Sequence, residues 1–163
     1  MLCAMPHRAS HAPRLGCQAD HGGHNYIHGS ESIGVRTIVV AYNPVLQRQV
    51  LSCLKAVQGV EIAGSASNGR CGLKLFKETS AELVVVQFNM PDMTGPAFTR
   101  AIKIGIASDP VVIIVSLKKN PQYASLAYHA RADGYLPVTG LEGFAPLVKG
   151  LIGPRLEMRN ALR

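Results

Sequence analysis

A turn-rich loop that follows a buried apolar run is the segment of this chain where side-chain type bears most directly on chemistry. Residues 82–95 read ELVVVQFNMPDMTG, and Gln87 stands at the carboxyl end of the apolar run, where the local pattern leads us to expect an aspartate. An aspartate there could act as a nucleophile, whereas a carboxamide is neutral and cannot accept a phosphoryl group in the same way. The carboxylate of this loop, Asp92, lies beyond Pro91. The segment therefore indicates either an unusual phosphoryl acceptor or a site that has lost this chemistry.

The first 35 residues carry a second set of groups that could do chemistry. Five histidines and two cysteines lie there, namely His7, His11, His21, His24, His28, Cys3 and Cys17. These side chains could bind a transition metal. However, the segment is rich in Gly, His, Ser and Pro, lacks apolar periodicity, and contains a His-Gly-Gly-His run that is a poor helix former. We therefore interpret residues 1–35 as a disordered or loosely ordered tail with incidental histidines, and we predict no metal site.

Composition restricts the class of protein. At 163 residues and 47% hydrophobic content, the chain suits one globular domain. It has neither an apolar run of about 18 residues, which a membrane span requires, nor the apolar core of a secretory signal, so we expect a cytoplasmic protein. Cys53 and Cys71 fall within predicted helices without CxxC spacing, which favours reduced, mostly buried thiols. The formal net charge of +7 permits an acidic partner, nucleic acid included.

From about residue 35, strands alternate with helices. Apolar, β-branched runs predict strands at 37–41, 60–65, 83–87, 111–116 and 134–137. Asn-Pro or Asn-Gly pairs predict helix starts at 43, 68 and 120, a further helix is predicted near 96–104, and the last at 141–151. Gly153-Pro154 is expected to end that helix and to leave residues 154–163 as a short basic tail, which could itself be helical. This alternation predicts an α/β fold with a parallel five-stranded sheet, helices on both faces, and a functional site at the carboxyl ends of the strands.

The segments that follow successive strands resemble those of a response-regulator receiver domain. They are VVAYNP, GSASNG, QFNMPDMTG, VVIIVS and ARADGYLP, and the resemblance covers residues 36–153 in order. It implies the flavodoxin-like (βα)5 fold, a doubly wound parallel sheet, and a role in two-component or phosphorelay signalling. The style most resembles receivers that carry a helix-turn-helix output domain.

The resemblance also implies a phosphorylation site of five positions. In the family, an acidic pair and an aspartate hold Mg²⁺, the aspartate takes a phosphoryl group from a histidine kinase, and a hydroxyl and a lysine contact the phosphoryl oxygens. Residue by residue, the acidic pair falls on Ala41 and Tyr42, the acceptor on Gln87, the hydroxyl on Ser116 and the lysine on Val138. Only Ser116 is retained. Because metal ligands, nucleophile and counter-charge are all replaced, we predict no catalytic residue and no Mg²⁺.

We therefore predict a degenerate receiver that acts by phosphorylation-independent protein–protein interaction, with another signalling protein or a second copy as partner. The interaction face predicted from the resemblance comprises Lys118, Lys119, Tyr123, His129, Arg131, Tyr135 and Lys149. One alternative is an authentic receiver phosphorylated at an unconventional residue such as Asp92. Another is a basic nucleic-acid-binding regulator, although no helix-turn-helix pattern is found. A conventional enzyme is not expected, because no nucleophile elbow or Walker loop occurs.

Three local questions stay open from sequence alone. Gln87 could hydrogen-bond Ser116 or backbone groups. Tyr42 could fill the space that the metal would take or point into solvent. Ser116 and Tyr135, both tied to switching in the family, could hold a fixed conformation or serve only in packing.

Overall fold

A computed structural model describes residues 34–104 and 109–162. Nearly all of the predicted tail over 1–35, with its five histidines, lies outside these described residues.

Five parallel strands form one sheet in the order β2-β1-β3-β4-β5. Their bounds are β1 Val35–Val40, β2 Val60–Ala66, β3 Leu83–Gln87, β4 Val111–Ser116 and β5 Gly134–Pro137. Every residue of β3 and β4 is buried, which explains their continuous apolar runs, because helices cover both faces of a parallel sheet. The predicted sheet and its strands are confirmed, and the strand order is that of a flavodoxin-like fold.

Helices connect the strands and cover both faces of the sheet. Their bounds are α1 Pro44–Lys55, α2 Gly69–Thr79, α3 Gly95–Lys103, α4 Pro121–His129 and α5 Phe144–Ala161, with a 3-10 helix over Val138–Gly143 before α5. One face is packed by α2, α3 and α4, with Phe76, Phe98 and Ala127 among the buried residues. The other is packed by α1 and α5, with Leu54 and Phe144 in its core. The predicted two-layer covering of the sheet is therefore confirmed.

Polar caps fix where the helices begin. The side-chain oxygens of Asn43, Asn68 and Asn120 each accept hydrogen bonds from backbone N–H groups in the first turn of α1, α2 and α4 respectively. Thr94 caps α3 through a bond from the Ala97 N–H. These caps satisfy N–H groups that a helix leaves without partners. All four capped ends point to the carboxyl edge of the sheet, because each helix follows the strand that ends there.

The last helix departs from the prediction. Gly153-Pro154 does not end it, since α5 continues to Ala161, and its first turn begins at Phe144 after the 3-10 helix. Proline lacks one helical N–H and strains the preceding turn, but long-range contacts hold the helix beyond it. Arg159 donates to the carbonyl oxygen of Gly34 at 2.8 Å and also pairs with the Glu82 carboxylate. Residues 154–161 are therefore helical and continuous with α5, so the expected helix end at Gly153-Pro154 is wrong.

The two cysteines within the described residues differ in bonding state. Cys53 is a free thiol, as predicted. Cys71 is disulfide-bonded, so the prediction of a reduced thiol is wrong for this residue. Periodicity along a helix indicates burial, but it does not tell which thiols form a disulfide.

No helix within the described ranges is both long and apolar enough to cross a membrane.

Candidate functional site

The sheet brings the predicted site positions to one edge. β1 pairs with β3, and β3 with β4, so that Val40 lies opposite Val86 and Gln87 opposite Val115. Ala41 and Tyr42 follow β1, Ser116 ends β4, and Val138 follows β5 directly. These five positions therefore line the carboxyl edge of four neighbouring strands, where α/β sheets commonly place ligands.

Gln87 occupies the centre of this edge. Its side chain is buried, with 4% of the residue exposed. The carbonyl oxygen Oε1 accepts a hydrogen bond of 2.9 Å from the backbone N–H of Asn43. Since a backbone N–H can only donate, this contact assigns Oε1 to the Asn43 side and leaves the Nε2 amino group on the other side. Of the two partners considered from sequence, the structure shows the backbone and not Ser116.

The positions next to Gln87 supply no metal ligand. Ala41 is buried, and Tyr42 is 58% exposed, so its ring points into solvent and does not fill the site. Mg²⁺ requires hard oxygen ligands, usually carboxylates, in octahedral geometry, whereas the Gln87 side-chain carbonyl is neutral and already accepts a hydrogen bond. The residues present do not fit Mg²⁺. More widely, the part of the chain that is described contains no cluster of His, Cys, Asp and Glu suited to a metal ion.

Asp92, the carboxylate of the loop after β3, is engaged by another helix. Its Oδ1 accepts the Gly69 N–H at 3.0 Å and its Oδ2 accepts the Arg70 N–H at 2.8 Å. Partial burial raises the pKa of Asp92, but backbone hydrogen bonds from Gly69, Arg70 and its own loop lower it more, so that the net pKa is below its usual value. Asp92 thus caps α2 from a distant loop. Sequence reasoning missed this role, because the partners are more than twenty residues apart.

Ser116 is held by neighbours at the end of β4. Its Oγ lies 2.8 Å from the hydroxyl oxygen of Tyr135 and donates to the carbonyl oxygen of Lys118. The Tyr135 hydroxyl is also 3.5 Å from that carbonyl. Tyr135 packs against the core as well, so it combines packing with a hydrogen bond. These contacts fold the loop after β4 back onto the strand end.

An aromatic stack beside Gln87 was not anticipated. The rings of Phe88 and Tyr123 lie with centroids 4.0 Å apart and planes at 13°, and the side-chain amide of Asn89 is 3.5 Å from the Tyr123 hydroxyl. Phe88 is buried and Tyr123 is half-buried on α4. The stack joins the loop after β3 to the start of α4. The sequence shows an aromatic residue, Phe88, directly after Gln87, but it does not identify Tyr123 as the residue on which Phe88 stacks.

The predicted interaction face is only partly contiguous. Lys118, Lys119, Tyr123 and Tyr135 lie at or near the carboxyl edge, and we call these four the lysine–tyrosine face. Arg131 follows α4 at its opposite end, a helix length of roughly 13 Å away, and His129 there contacts its own helix through the Ser125 carbonyl oxygen at 2.9 Å. Lys149 is exposed on α5, which covers the other side of the sheet.

Comparison with known proteins gives a consistent result. A family model described as response regulator receiver domain matches residues 38–137. A protein-glutamate methylesterase/protein-glutamine glutaminase of a Nocardioides species is 30% identical over 131 residues, which are 79% of this chain and 34% of that protein. The chain thus spans about a third of the length of this relative.

Solved structures share the fold. A DNA-binding response regulator of the LuxR family from Staphylococcus aureus superposes with a TM-score of 0.65 and 24% identity, covering 71% of this chain and 97% of that one. The isolated REC domain of RcsB from Salmonella enterica serovar Typhimurium, solved with the phosphomimetic BeF3-, gives a TM-score of 0.63 and 16% identity, covering 69% and 83%. At these identities the likeness shows the fold alone.

Proposed function

This chain belongs to the response regulator receiver domain family, and we propose that it is a degenerate receiver that acts through protein–protein contact without being phosphorylated. The observation that carries the proposal is the buried amide of Gln87, whose carbonyl oxygen is hydrogen-bonded to the Asn43 N–H at the position where the family's acceptor falls. A neutral amide neither attacks phosphorus nor binds Mg²⁺ as a carboxylate does. The neighbouring Ala41 and Tyr42 do not replace the missing charge.

Phosphorylation at Asp92, the alternative considered from sequence, is not supported by its surroundings. Both carboxylate oxygens accept backbone N–H groups at the start of α2, and these bonds stabilise the charged form. A phosphoryl group on either oxygen would break a cap and leave helix N–H groups without their partner. The structural role of Asp92 therefore opposes a role as nucleophile.

The output proposed for this receiver is contact with a protein through the lysine–tyrosine face. Lys118 and Lys119 are exposed, and neither makes an ion pair with any described residue. Tyr123 and Tyr135 present half-buried rings beside them. Half-buried aromatic rings near exposed cations are suited to a protein interface, where Tyr is enriched. Another signalling protein or a second copy of this chain would fill the role of partner.

We further propose that the chain is not an enzyme and that it works in the cytoplasm, as its family membership favours. The methylesterase activity named for the Nocardioides relative belongs to a protein of which the matched region makes up only 34%. Fractionation of cells that express the chain would locate it directly.

The decisive experiment is incubation of the chain with a small phosphodonor and Mg²⁺, followed by intact mass spectrometry. We expect no adduct, while a receiver that has its acceptor aspartate gains one phosphoryl group in the same reaction. A stoichiometric adduct on this chain would contradict the proposal, and peptide mapping would then identify the acceptor.

The proposed face is tested by charge reversal. Replacing Lys118 and Lys119 by Glu should abolish capture of a partner that the unmodified chain retains. The matched control reverses Lys55 and Lys77, which are exposed on α1 and α2 away from the lysine–tyrosine face. Equal capture by both double variants would exclude the face. Loss of capture in both double variants would indicate that net charge determines binding and not this face. The same result is expected if the chain binds nucleic acid.

A further inference from the structure

The amide of Gln87 has a donor that the fold does not use. Its Oε1 is bonded to Asn43, but within the described residues Nε2 has no hydrogen-bond partner, although 96% of the residue is buried. No side-chain nitrogen or oxygen among those residues is both fully enclosed and without a partner. The Nε2 group therefore reaches the surface at the carboxyl edge, where it can donate to a molecule from outside. An amide donor selects an acceptor and excludes a cation.

The surroundings of this donor favour an anion. The N–H groups of Val45 and Leu46 at the start of α1 already donate to Asn43. Nε2 of Gln87 is therefore a donor beside that helix end that no described residue uses. Lys118 and Lys119 follow β4, the strand that pairs with β3, and the Ser116 contact to the Lys118 carbonyl keeps their loop at the strand end. Asp92, the carboxylate of the adjacent loop, is turned to α2.

We propose that this opening binds a carboxylate side chain from an acidic segment of a partner protein, with Gln87 Nε2 as the hydrogen-bond donor and Lys118 and Lys119 as the flanking charges. This inference rests on the proposed function, since it names the chemistry by which the partner is recognised. A carboxylate can accept the Nε2 hydrogen bond while an exposed lysine offsets its single negative charge. A phosphoryl group carries close to two charges and three acceptor oxygens, which a single Nε2 amino group cannot satisfy.

The test follows the side-chain amide of Gln87 by nuclear magnetic resonance in the ¹⁵N-labelled full chain. The probes are N-acetylglutamate, the peptide acetyl-Glu-Glu-Glu-Glu-amide, and inorganic phosphate. We expect both carboxylate probes to shift the Nε2 proton signals in a saturable manner, the peptide at lower concentration because the lysines add attraction. Phosphate is expected to move the signals less at equal concentration.

Gln87→Glu is the matching variant. It retains an oxygen that accepts the Asn43 N–H and replaces the amino group by a second oxygen, so it should weaken peptide binding by at least about tenfold. Gln58→Glu carries the same charge change at an exposed position beside Gly59, at the amino edge of the sheet, and should bind almost as the unmodified chain does. The amide spectra of both variants report whether the fold is intact.

Three results would overturn the proposal. The first is a peptide titration that shifts lysine signals but leaves the Gln87 amide unchanged, and the second is undiminished binding by folded Gln87→Glu. The third is a clear preference of the Gln87 amide for phosphate. None of these depends on the phosphodonor reaction, so carboxylate recognition can fail while the chain still proves unable to take a phosphoryl group.

Discussion

The hydroxyl oxygen of Tyr135 lies 2.8 Å from Oγ of Ser116, and these two residues hold the loop that precedes α4. Ser116 donates to the Lys118 carbonyl oxygen, and the Tyr135 hydroxyl lies 3.5 Å from the same atom. These hydrogen bonds join neutral hydroxyl and carbonyl groups only. Since neither hydrogen bond involves a phosphoryl group, we expect the lysine–tyrosine face to keep its shape in the unmodified protein.

Replacing Tyr135 by Phe should release this loop. The variant retains the ring but leaves Ser116 with one partner fewer, which we expect to cost about 1 kcal/mol in free energy of unfolding. Urea denaturation measures the loss, and hydrogen exchange should quicken at residues 118–120. Tyr128→Phe is the matched control, since Tyr128 is 56% exposed, and it should change stability by less than about 0.5 kcal/mol. Equal effects of the two variants would remove the role given to Ser116.

Replacing Asp92 by Ala should destabilise the protein in a pH-dependent manner. The carboxylate caps α2, so we expect a loss of about 1 kcal/mol at neutral pH. The pKa of Asp92 is lowered in the folded state. Its contribution is therefore complete above the unfolded pKa of about 3.9 and disappears as the pH falls through the lower, folded pKa. Urea unfolding across that range should show the stability curves of the two proteins converging in acid. Glu142→Ala, at an exposed position, provides the control.

Gln87→Asp should not create a phosphorylation site. The new carboxylate would stand without the acidic pair, because Ala41 and Tyr42 supply no ligand for Mg²⁺, and phosphoryl transfer would lack charge neutralisation. Burial of the carboxylate should also lower stability relative to Gln87→Asn, its neutral counterpart. Intact mass after treatment with a phosphodonor and Mg²⁺ should therefore be unchanged. An adduct in the single variant would show that the pocket binds Mg²⁺ without the acidic pair.

Replacing Arg159 by Ala should loosen the end of α5. The guanidinium contacts the Gly34 carbonyl oxygen and the Glu82 carboxylate. Without it, Glu82 would keep a hydrogen bond of 3.2 Å from the Arg36 backbone N–H and a weaker ion pair with the Arg36 side chain at 3.9 Å. We expect a loss of about 1 to 2 kcal/mol in unfolding free energy, with faster hydrogen exchange from residue 155 onward. Lys149→Ala removes an exposed cation of the same helix and serves as the comparison. Unchanged exchange in the Arg159 variant would mean that Pro154 is tolerated without this anchor.

Most of the secondary structure could be predicted from local patterns in the sequence. The apolar runs predicted β3, β4 and β5 with their observed bounds, and the Asn-Pro pairs located the starts of α1 and α4. These elements are encoded by neighbouring residues, through strand periodicity and capping, and are therefore legible in a single sequence. The carboxyl-edge position of the site followed from the parallel topology.

The features that escaped prediction depend on residues far apart in the chain. The continuation of α5 relies on Arg159 reaching Gly34, 125 positions away, which overrides the local signal of Gly153-Pro154. The Asp92 cap of α2 and the bond from Asn43 to Gln87 likewise join separate loops. Residue types named the candidate groups at the site, but only the packed fold determines which of their hydrogen-bonding atoms are already used.

The hydrogen-bonded amide of Gln87 also affects how long a signalling response lasts. A phosphoryl-aspartate would end its signal by hydrolysis, so the hydrolysis rate constant would limit the duration of the response. A carboxamide in that position has no such bond to form or lose. For a receiver that works as proposed, the duration of a response is then set by the dissociation rate constant of the complex and by how many copies of the chain the cell makes and removes.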